Sequence, residues 1–516
     1  MSEMNTKQII GGADGKTKSK PGSKSKSQST KSNKFAMDVI RKCIQKHLGH
    51  VREEIINILQ REYDLKLTDA QGIAERVMVM TEGNMREKYR FKEAPDTMQQ
   101  FEILLKKKRG ITTHQFIVQE KDMIDFINWF YSITSIPFYQ SLGDTIGYFN
   151  GHWEFNYGLT NPPPEYTNDL IYEFISLGGV NDLSIVNWRA SDDTLMYMAT
   201  FDVLTQGAKT IDEFGSLLRT KYLAIEKQME SRHPGGTVLK ALETLKIKKW
   251  NEISYDREAK GAGTAMRTGC IGIFFPGKHN RLELIKRSIE CSRITHNSTV
   301  AMLGGMAAAL FTAYAMERVS INKWPHKLLQ LLDSNVVDTY MKESRPADYE
   351  FYFRDKDLFV DQIKKYVGMR FAGLTPRLDI PILKNPVRRY KYFSENYSKG
   401  HEHFAGSCAD DAIIMAYDAL LESGDNLEKL IVYSILHPGD SDTVGSIAFS
   451  WFGAYYHSAK NNNLVEPKFD ELEFGEEIGE LARHSYNQMI KVYYLDLYFN
   501  TALHMLKSLG LHKAKH

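Results

Sequence analysis

Two acidic clusters contain the residue types best suited to chemistry. The first is the motif SDDT at residues 191–194, and the second is the motif GDSDT at residues 439–443. In each cluster two carboxylates and neighbouring hydroxyls stand directly before a run of apolar residues with helical spacing. We therefore expect both clusters to lie at helix N-termini.

Helix capping is the simplest role for an aspartate at such a position, because Asp, Ser and Thr are preferred N-cap residues. Capping uses one side chain, whereas a second carboxylate beside the first adds repulsion between like charges. The helix N-terminus supplies only about half an elementary charge to offset that repulsion. Two such pairs, far apart in the sequence, indicate that both face a common cation.

The ligand chemistry of the two clusters favours magnesium. Mg²⁺ binds carboxylate, hydroxyl and water oxygens, and the absence of a cysteine near either cluster disfavours zinc and iron. The four negative charges of Asp192, Asp193, Asp440 and Asp442 would neutralise two divalent ions. We therefore predict that the clusters converge on one centre of two Mg²⁺ ions, with Mn²⁺ as the alternative metal.

Glycine-rich turns form a second group of candidates. They are HPGG at residues 233–236, GAGTAMR at 261–267 and GSCADDA at 406–412. Such turns let backbone N–H groups approach a phosphate, although any one of them taken alone is better explained as an ordinary turn. Arg267 suits either a phosphate contact or a buried structural role, and His296 is predicted to be structural.

In their order and spacing these motifs resemble the ADP-ribosylglycohydrolase family. The further blocks that carry the resemblance are GDTIGYFNGHWEF at residues 143–155, WRA at 188–190, SRITH at 292–296 and HPGDSDT at 437–443. The opening block most resembles the ADP-ribosylarginine hydrolase branch of the family. The resemblance extends over roughly residues 122–457.

The resemblance implies an all-α fold, an orthogonal multi-helix bundle with a central cleft. It places Glu154 on a loop that closes over the site and Asp411 near the metal centre. It implies that the metal ligands are Ser191, Asp192, Asp193, Asp440, Asp442 and Thr443. It assigns substrate contacts to Gly235, Gly236, Gly261, Ala262, Gly263, Thr264, Gly406 and Ser407.

The implied reaction is Mg²⁺-dependent hydrolysis of the N-glycosidic bond between ADP-ribose and a modified protein side chain, arginine by the closest resemblance. A water activated by metal or by a carboxylate would attack the anomeric carbon through an oxocarbenium-like transition state. Glu154 either closes the site or transfers a proton. The implied catalytic residues are Glu154, Asp192, Asp193 and Asp442. A hydrolase of serine-linked ADP-ribose and a non-catalytic ADP-ribose-binding module are the alternatives.

Helical periodicity predicts the elements that position these residues. It predicts helices over Asp122–Gln140, Thr194–Thr205, Arg281–Cys291 and Asp411–Ser423, and another after Thr443. The uncharged stretch Thr299–Met316 is long enough to cross a bilayer. Because its apolar content is mostly Ala, Gly, Met and Thr, and no second span accompanies it, we predict a buried helix and no membrane partner.

The composition is that of a soluble globular protein, with 42% hydrophobic and 25% charged residues. The four cysteines form no CxxC pair, and the N-terminus carries no signal peptide. We therefore expect an intracellular protein, cytoplasmic with the nucleus as the alternative. The expected partner is an ADP-ribosylated protein substrate.

The chain divides into three predicted regions. Residues 1–34 hold eight lysines against Glu3 and Asp14, a net charge of +6, which leaves −4 for the rest of a chain whose total is +2. We predict a disordered, solvated basic tail, with weak contact to nucleic acid or acidic surfaces as the alternative. Residues 35–121 are predicted to form a small, mainly helical module of unknown role, and residues 122–516 the catalytic domain.

Overall fold

The computed structural model describes residues 52–53, 55–61, 65–88, 135–156, 162–398, 404–457 and 469–490. The basic tail at residues 1–34 lies outside these ranges, as do the predicted boundaries near residues 34 and 121, so both stay predictions. Among the described residues, those up to Thr81 belong to one compact unit and those from Glu82 onward to a second.

The first unit is helical where it is described. Residues 52–53 and 55–61 are helical, and α1 covers Leu67–Lys88. The buried positions fall at helical spacing, because one face of each helix packs inward: Ile55, Leu59, Ala70, Ala74 and Val77. These residues are helical, whereas the bounds and the role of the predicted module stay predictions. Helix α1 continues past the predicted end near Thr81.

The second unit is built almost wholly from helices. Its longer helices are α2 (residues 135–148), α3 (Thr167–Ser176), α4 (Asp192–Thr205), α5 (Ile211–Met229), α6 (Gly236–Ile247), α7 (Ala265–Phe274), α8 (Arg281–Arg293), α9 (Thr299–Met316), α10 (Trp324–Asp333), α11 (Val336–Ser344), α12 (Tyr349–Arg370), α13 (Pro386–Tyr397), α14 (Ala409–Ser423), α15 (Leu427–Ser434), α16 (Ser441–Tyr456) and α17 (Gly475–Ile490).

Short elements join these helices. Single helical turns occupy Phe149–Gly151, Glu154–Asn156, Pro164–Tyr166, Gly179–Asp182, Ala262–Thr264, Lys278–Asn280, Ile321–Lys323, Pro346–Asp348, Pro381–Lys384 and Phe469–Glu471. In the described part of the chain, β structure amounts to one antiparallel pair, β1 (Phe371–Ala372) with β2 (Thr375–Pro376). The prediction of an all-α fold is therefore confirmed.

Helix α9 is the central helix of the second unit and packs against α7, α8, α12, α14 and α16. Its neighbours approach closely because glycine stands at the crossings. A Cβ added to Gly272 of α7 would lie 2.1 Å from the Ala309 carbonyl oxygen, and one added to Gly304 of α9 would lie 2.5 Å from the Ala409 Cβ. Such distances exclude any side chain at these two positions.

Among the described residues, α9 is the one helix long and apolar enough to cross a membrane, and 94% of it is buried inside the protein. Burial against other helices satisfies its apolar surface without lipid. The prediction of a buried helix at this position is confirmed.

Helices α2, α4 and α16 position the acidic clusters. The N-termini of α4 and α16 lie together, and α2 crosses the start of α16 at close range. A Cβ on Gly147 of α2 would lie 2.5 Å from the Ser441 carbonyl oxygen, and one on Gly143 the same distance from the Gly445 carbonyl oxygen. Because glycine allows this approach, the residues between 143 and 147 reach the acidic clusters.

Candidate functional site

A cleft of about 450 Å³ lies where α4, α6, α7 and α16 begin. Its volume falls within the range typical of small-molecule sites. It brings together both acidic clusters and three glycine-rich turns that are far apart in the sequence. Its lining residues are Glu154, Phe155, Asp192, Asp193, His233, Gly235, Gly236, Thr237, Val238, Gly261, Ala262, Gly263, Met266, His296, Phe404, Ser407, Asp440, Asp442 and Thr443.

At the N-terminus of α4, capping is done by residues other than the two cluster aspartates. The Ser191 hydroxyl accepts a hydrogen bond from the Asp193 amide at 3.1 Å, and Ser191 is the N-cap residue. The buried Asp144 carboxylate accepts from the Ser191 amide at 3.2 Å and from the Thr194 amide at 3.0 Å, and also from the Thr194 hydroxyl. The carboxylates of Asp192 and Asp193 are therefore not needed to cap the helix.

At the N-terminus of α16, capping is done by an aspartate of the cluster itself. Asp440 is the N-cap residue of α16, and its side chain accepts a hydrogen bond from the Thr443 amide at 3.3 Å. The Asp442 carboxylate accepts from the same amide at 2.9 Å. Asp440 therefore caps α16, which is the simplest role that the sequence indicated for an aspartate at this position.

Two side-chain contacts connect the clusters directly. The Ser446 hydroxyl of α16 donates to the Asp193 carboxylate at 3.1 Å. A hydrogen bond from the Ser191 side chain is among the influences that lower the pKa of Asp442. The carboxylates of the two clusters thus share one pocket, as the repulsion argument predicted.

The surroundings of these carboxyl groups raise their pKa values. Burial, the largest cause, and neighbouring carboxylates hold the pKa values of Asp192, Asp193 and Asp440 well above their usual range. Burial also raises the pKa of Asp442. For Asp192, the positive charge of Arg267 opposes this rise. Among the described residues, the cations near the cleft therefore do not balance the charge that its carboxyl groups would carry if all were ionised.

The donor set fits hard divalent cations. Carboxylate and hydroxyl oxygens are the ligands that Mg²⁺ and Mn²⁺ accept, and excess buried negative charge is what such ions neutralise. Across the ranges described, however, no group of three or more His, Cys, Asp or Glu side chains is arranged to hold a metal ion. Ion binding would therefore require adjustment of these side chains or further ligands, and the predicted number of ions stays a prediction.

Glu154 enters the cleft from a strained segment after α2. Phe149, Asn150 and Phe155 all have positive φ angles, of 42°, 55° and 48°, a conformation that non-glycine residues seldom adopt. The Glu154 side chain is 6% exposed, and its Oε2 atom accepts no hydrogen bond among the described residues. Burial, followed by the charges of Asp442 and three other cluster aspartates, raises its pKa well above the usual value.

The GAGTAMR turn is fastened from behind by Arg267. Its guanidinium donates to the Gly263 carbonyl, to the Cys291 carbonyl at 2.8 Å and to the Thr295 hydroxyl at 2.6 Å. The side chain is fully buried, so it anchors the turn and does not reach the cleft surface. Of the two roles that the sequence allowed for Arg267, the structure shows the structural one.

The opposite side of this turn pairs with the segment that precedes α14. The Ala262 amide donates to the Ser407 carbonyl at 2.9 Å, and Gly261 forms a β-bridge with Cys408. The Asp411 carboxylate accepts from the Cys408 amide at 3.0 Å and caps α14. Asp411 thus supports the cleft wall, and its charge contributes to the raised pKa of Asp440.

Three predicted site residues lie behind the cleft instead of lining it: Ser191, Thr264 and Gly406. The Thr264 hydroxyl donates to the Ala301 carbonyl at 2.8 Å. Gly406 has a φ angle of 97°, and a Cβ there would lie 2.8 Å from the Val444 side chain. Ser191 connects the two acidic clusters, as described above. These three residues position the groups that line the cleft.

Several residues were not predicted as site residues but take part in it. Asp144 caps α4, although the motif GDTIG could have indicated it. His233 and His296 line the cleft, and His296 is buried with its pKa lowered to about 3 by burial and by the charge of Arg267. Phe155 and Phe404 meet edge to face, with ring centroids 5.2 Å apart. No signal in the sequence distinguished these two phenylalanines from core residues.

Comparison with known proteins identifies the family. The ADP-ribosylglycohydrolase family model matches residues 140–493. A mimivirus protein named "Putative ADP-ribosyl glycohydrolase L444" (Acanthamoeba polyphaga mimivirus) is 45% identical over 471 residues, which cover 90% of this chain and 89% of that protein. The ADP-ribosylhydrolase ARH1 of Dictyostelium discoideum is 32% identical over 370 residues, 67% of this chain and 91% of that protein.

A solved structure, described as an ADP-ribosylglycohydrolase-related protein complex, aligns with 70% of this chain and 99% of its own, at 17% sequence identity and a TM-score of 0.42. The sequence comparisons carry the assignment, since the family model matches more than half of the chain. The protein belongs to the ADP-ribosylglycohydrolase family of hydrolases.

Proposed function

We propose that this protein hydrolyses, with Mg²⁺, the N-glycosidic bond between ADP-ribose and a modified arginine side chain of a protein substrate. Family membership supports hydrolysis of an ADP-ribose linkage. The observation that carries the rest is the convergence of four cluster aspartates and Glu154 in one cleft, whose described lining residues include no lysine or arginine.

Divalent cations in the cleft would supply the positive charge that lets these carboxylates ionise together and would orient the hydroxyls of the distal ribose. The residues that would hold them are Asp192, Asp193, Asp440 and Asp442, with Thr443 beside them on the cleft surface. Ser191, which lies behind the surface, would orient the Asp442 carboxylate through its hydrogen bond.

Glu154 is suited to the proton transfer that departure of the side-chain nitrogen requires. Because burial raises its pKa, the carboxyl group retains a proton at a pH where an exposed glutamate has lost it. In our proposal Glu154 donates this proton to the leaving nitrogen while a water molecule attacks the anomeric carbon. A neighbouring ionised carboxylate in the cleft would accept the proton that the water loses.

The N-terminus of α6 is suited to the diphosphate. Helix α6 begins at Gly236 with Gly235 as its N-cap residue, and both line the cleft. A Cβ at either position would meet no atom within 4 Å, so the backbone there borders open space. The partial positive charge of a helix N-terminus favours an anion at this place.

The arginine linkage is supported by the opening block at residues 143–155, which resembles the ADP-ribosylarginine hydrolase branch, and by a relative at 32% identity named ADP-ribosylhydrolase ARH1. A serine linkage and simple ADP-ribose binding are the competing functions. Each makes a different prediction about which substrate releases ADP-ribose.

A substrate panel tests the proposal. Full-length protein would be incubated with arginine- and serine-ADP-ribosylated peptides, with Mg²⁺ or with a chelator, and free ADP-ribose would be quantified. We expect Mg²⁺-dependent release from the arginine peptide. The variant Asp379→Asn should release ADP-ribose as wild type does, since Asp379 is exposed and lies outside the cleft. Chelator-resistant release, release from the serine peptide alone, or binding of ADP-ribose without any release would contradict it.

A further inference from the structure

His233 lies beside Glu154 at the edge of the cleft. Its Nδ1 atom is 3.7 Å from Glu154 Oε2, the oxygen that accepts no hydrogen bond among the described residues. The two side chains differ sharply in exposure, since His233 is 40% exposed and Glu154 is 6% exposed. His233 therefore connects the buried carboxyl group to solvent.

The backbone on both sides holds the imidazole in this place. His233 itself has a φ angle of 54°, outside the region that non-glycine residues prefer. A Cβ added to Gly151, whose φ angle is 84°, would lie 2.6 Å from the His233 Cε1 atom. The ring thus rests on a glycine of the same segment that carries Glu154. The Tyr148 ring meets it edge-on, with centroids 5.5 Å apart.

Among the described residues that line the cleft, His233 is the group best placed to exchange a proton with Glu154. Asp442, Asp440, Asp192 and Asp193 all act electrostatically on Glu154, and all are acidic. The other histidine of the lining, His296, is 2% exposed, and its pKa is lowered to about 3, so it stays uncharged near neutrality. Tyr148, which borders the imidazole, has its pKa raised to about 12, chiefly by burial.

We propose that His233 relays protons from solvent to the Glu154 carboxyl group during turnover. This inference rests on the proposed function, in which Glu154 protonates the leaving nitrogen. As the anomeric carbon–nitrogen bond breaks and the bond to water oxygen forms, Glu154 gives up its proton and becomes a carboxylate. His233, as imidazolium, returns a proton to that carboxylate and then takes another from solvent. The carboxylate that accepted the proton of the attacking water releases it to solvent, so the cleft returns to its starting protonation state. An imidazole has two ring nitrogens, one of which can donate a proton while the other accepts one, and this suits His233 to a relay.

The test compares His233→Gln with His152→Gln in the full-length chain. His152 is a matched control, since it is exposed, lies in the segment that carries Glu154 and does not line the cleft. With an arginine-ADP-ribosylated peptide and Mg²⁺, we expect His233→Gln to lower kcat about 100-fold, a loss typical of a removed proton-transfer group. KM and the calorimetric affinity for free ADP-ribose should stay within about twofold of wild type.

Three further measurements separate a relay from a structural role. Added imidazole should restore part of the kcat of His233→Gln in proportion to its concentration and should leave Glu154→Gln unchanged. The double variant should be no slower than Glu154→Gln, because residues that act in one pathway are not additive. Gly151→Ala, whose methyl group would displace the ring, should lose kcat in the same way and also respond to imidazole.

Each contrary outcome has one meaning. A kcat of His233→Gln equal to that of His152→Gln overturns the relay, and so does a loss that imidazole does not restore or that adds to the loss of Glu154→Gln. In either case wild-type release of ADP-ribose from the arginine peptide leaves the proposed function standing. If wild-type protein releases no ADP-ribose from any linkage, the proposed function and the relay fail together.

Discussion

Asp418 and Glu422 of α14 are as deeply buried as the aspartates of the cleft, yet they lie among cations. Asp418 pairs with Arg370 at 2.8 Å and with Arg389 at 2.6 Å, and Glu422 pairs with Arg370 and Lys384. The side chains of Asp418, Glu422 and Arg370 are no more than 2% exposed. We call these five residues the α14 ion-pair network.

The cleft gathers five carboxyl side chains, and its described lining residues include no lysine or arginine. A buried charge without a partner costs free energy, so a chain that needed only stability would pair it as the α14 network does. The network shows that this fold can provide such partners. No such partner stands among the described residues that line the cleft, which supports our proposal that its carboxylates bind cations and substrate that come from outside.

The largest expected effect comes from removing a charge in the cleft. Asp442→Asn should lower kcat/KM for release of ADP-ribose by more than about 1000-fold, because it removes about 4 kcal/mol or more of transition-state stabilisation. The metal-free variant should melt at the same temperature as wild type or higher, since one source of repulsion is gone. Steady-state kinetics and calorimetric melting measure the two effects. Unaltered turnover would show that the cleft charges are not catalytic.

The same type of substitution in the α14 ion-pair network should lower the stability of the protein and leave KM unchanged. Asp418→Asn removes the carboxylate that pairs with Arg389 and one of the two that pair with Arg370, and should lower the free energy of unfolding by about 3 kcal/mol. Denaturant titration measures the loss, with Asp379→Asn as the exposed control. At temperatures where the variant is folded, KM should match that of wild type. A variant as stable as wild type would contradict the contrast between the cleft and the α14 ion-pair network.

The sequence predicted that acidic residues converge in the cleft, but it did not predict the α14 ion-pair network. Helical spacing located α4 and α16, and the repulsion between paired aspartates predicted that the clusters converge. Predicted helix starts were late by two residues at Thr194 and Asp411, because α4 begins at Asp192 and α14 at Ala409, where capping side chains enter the first turn. Periodicity marks the apolar face of a helix and carries little information about its ends.

The remaining differences come from tertiary packing. Asp144 caps α4, and Ser446 contacts Asp193, only because α2 and α16 cross near α4, which no local pattern encodes. A motif also identifies a turn without showing which side chain faces the ligand. Thr264 belongs to the GAGTAMR motif, yet its hydroxyl donates to a carbonyl of α9.

The next largest expected effect is stabilisation by divalent cations, which should depend on the cleft and not on the α14 ion-pair network. At 100 times its dissociation constant, an ion that binds only the folded state adds about 2.7 kcal/mol of stability. We expect Mg²⁺ to raise the melting temperature of wild type and of Asp418→Asn by similar amounts. Asp442→Asn should lose most of the rise. Calorimetric melting with and without a chelator measures it, and an equal rise in all three proteins would place the ions elsewhere.

The smallest expected effect is a dependence of metal-free stability on pH. Burial, and then the charge of Asp442, raises the pKa of Asp144 to about 7, whereas an unfolded aspartate titrates near 4. Between these values the folded chain holds a proton that the unfolded chain has lost, so stability falls as pH rises from 4 to 7.

Asp144→Asn mimics the protonated carboxyl and should remove this dependence. Relative to the variant, metal-free wild type should lose about 2 kcal/mol of unfolding free energy between pH 5 and pH 7. Denaturant titrations at each pH in the presence of a chelator measure the difference, with Asp379→Asn expected to follow wild type. Parallel profiles for wild type and Asp144→Asn would show that Asp144 is ionised throughout. The charge deficit of the cleft would then be smaller than the structure indicates, because some cation of the chain itself would already balance it.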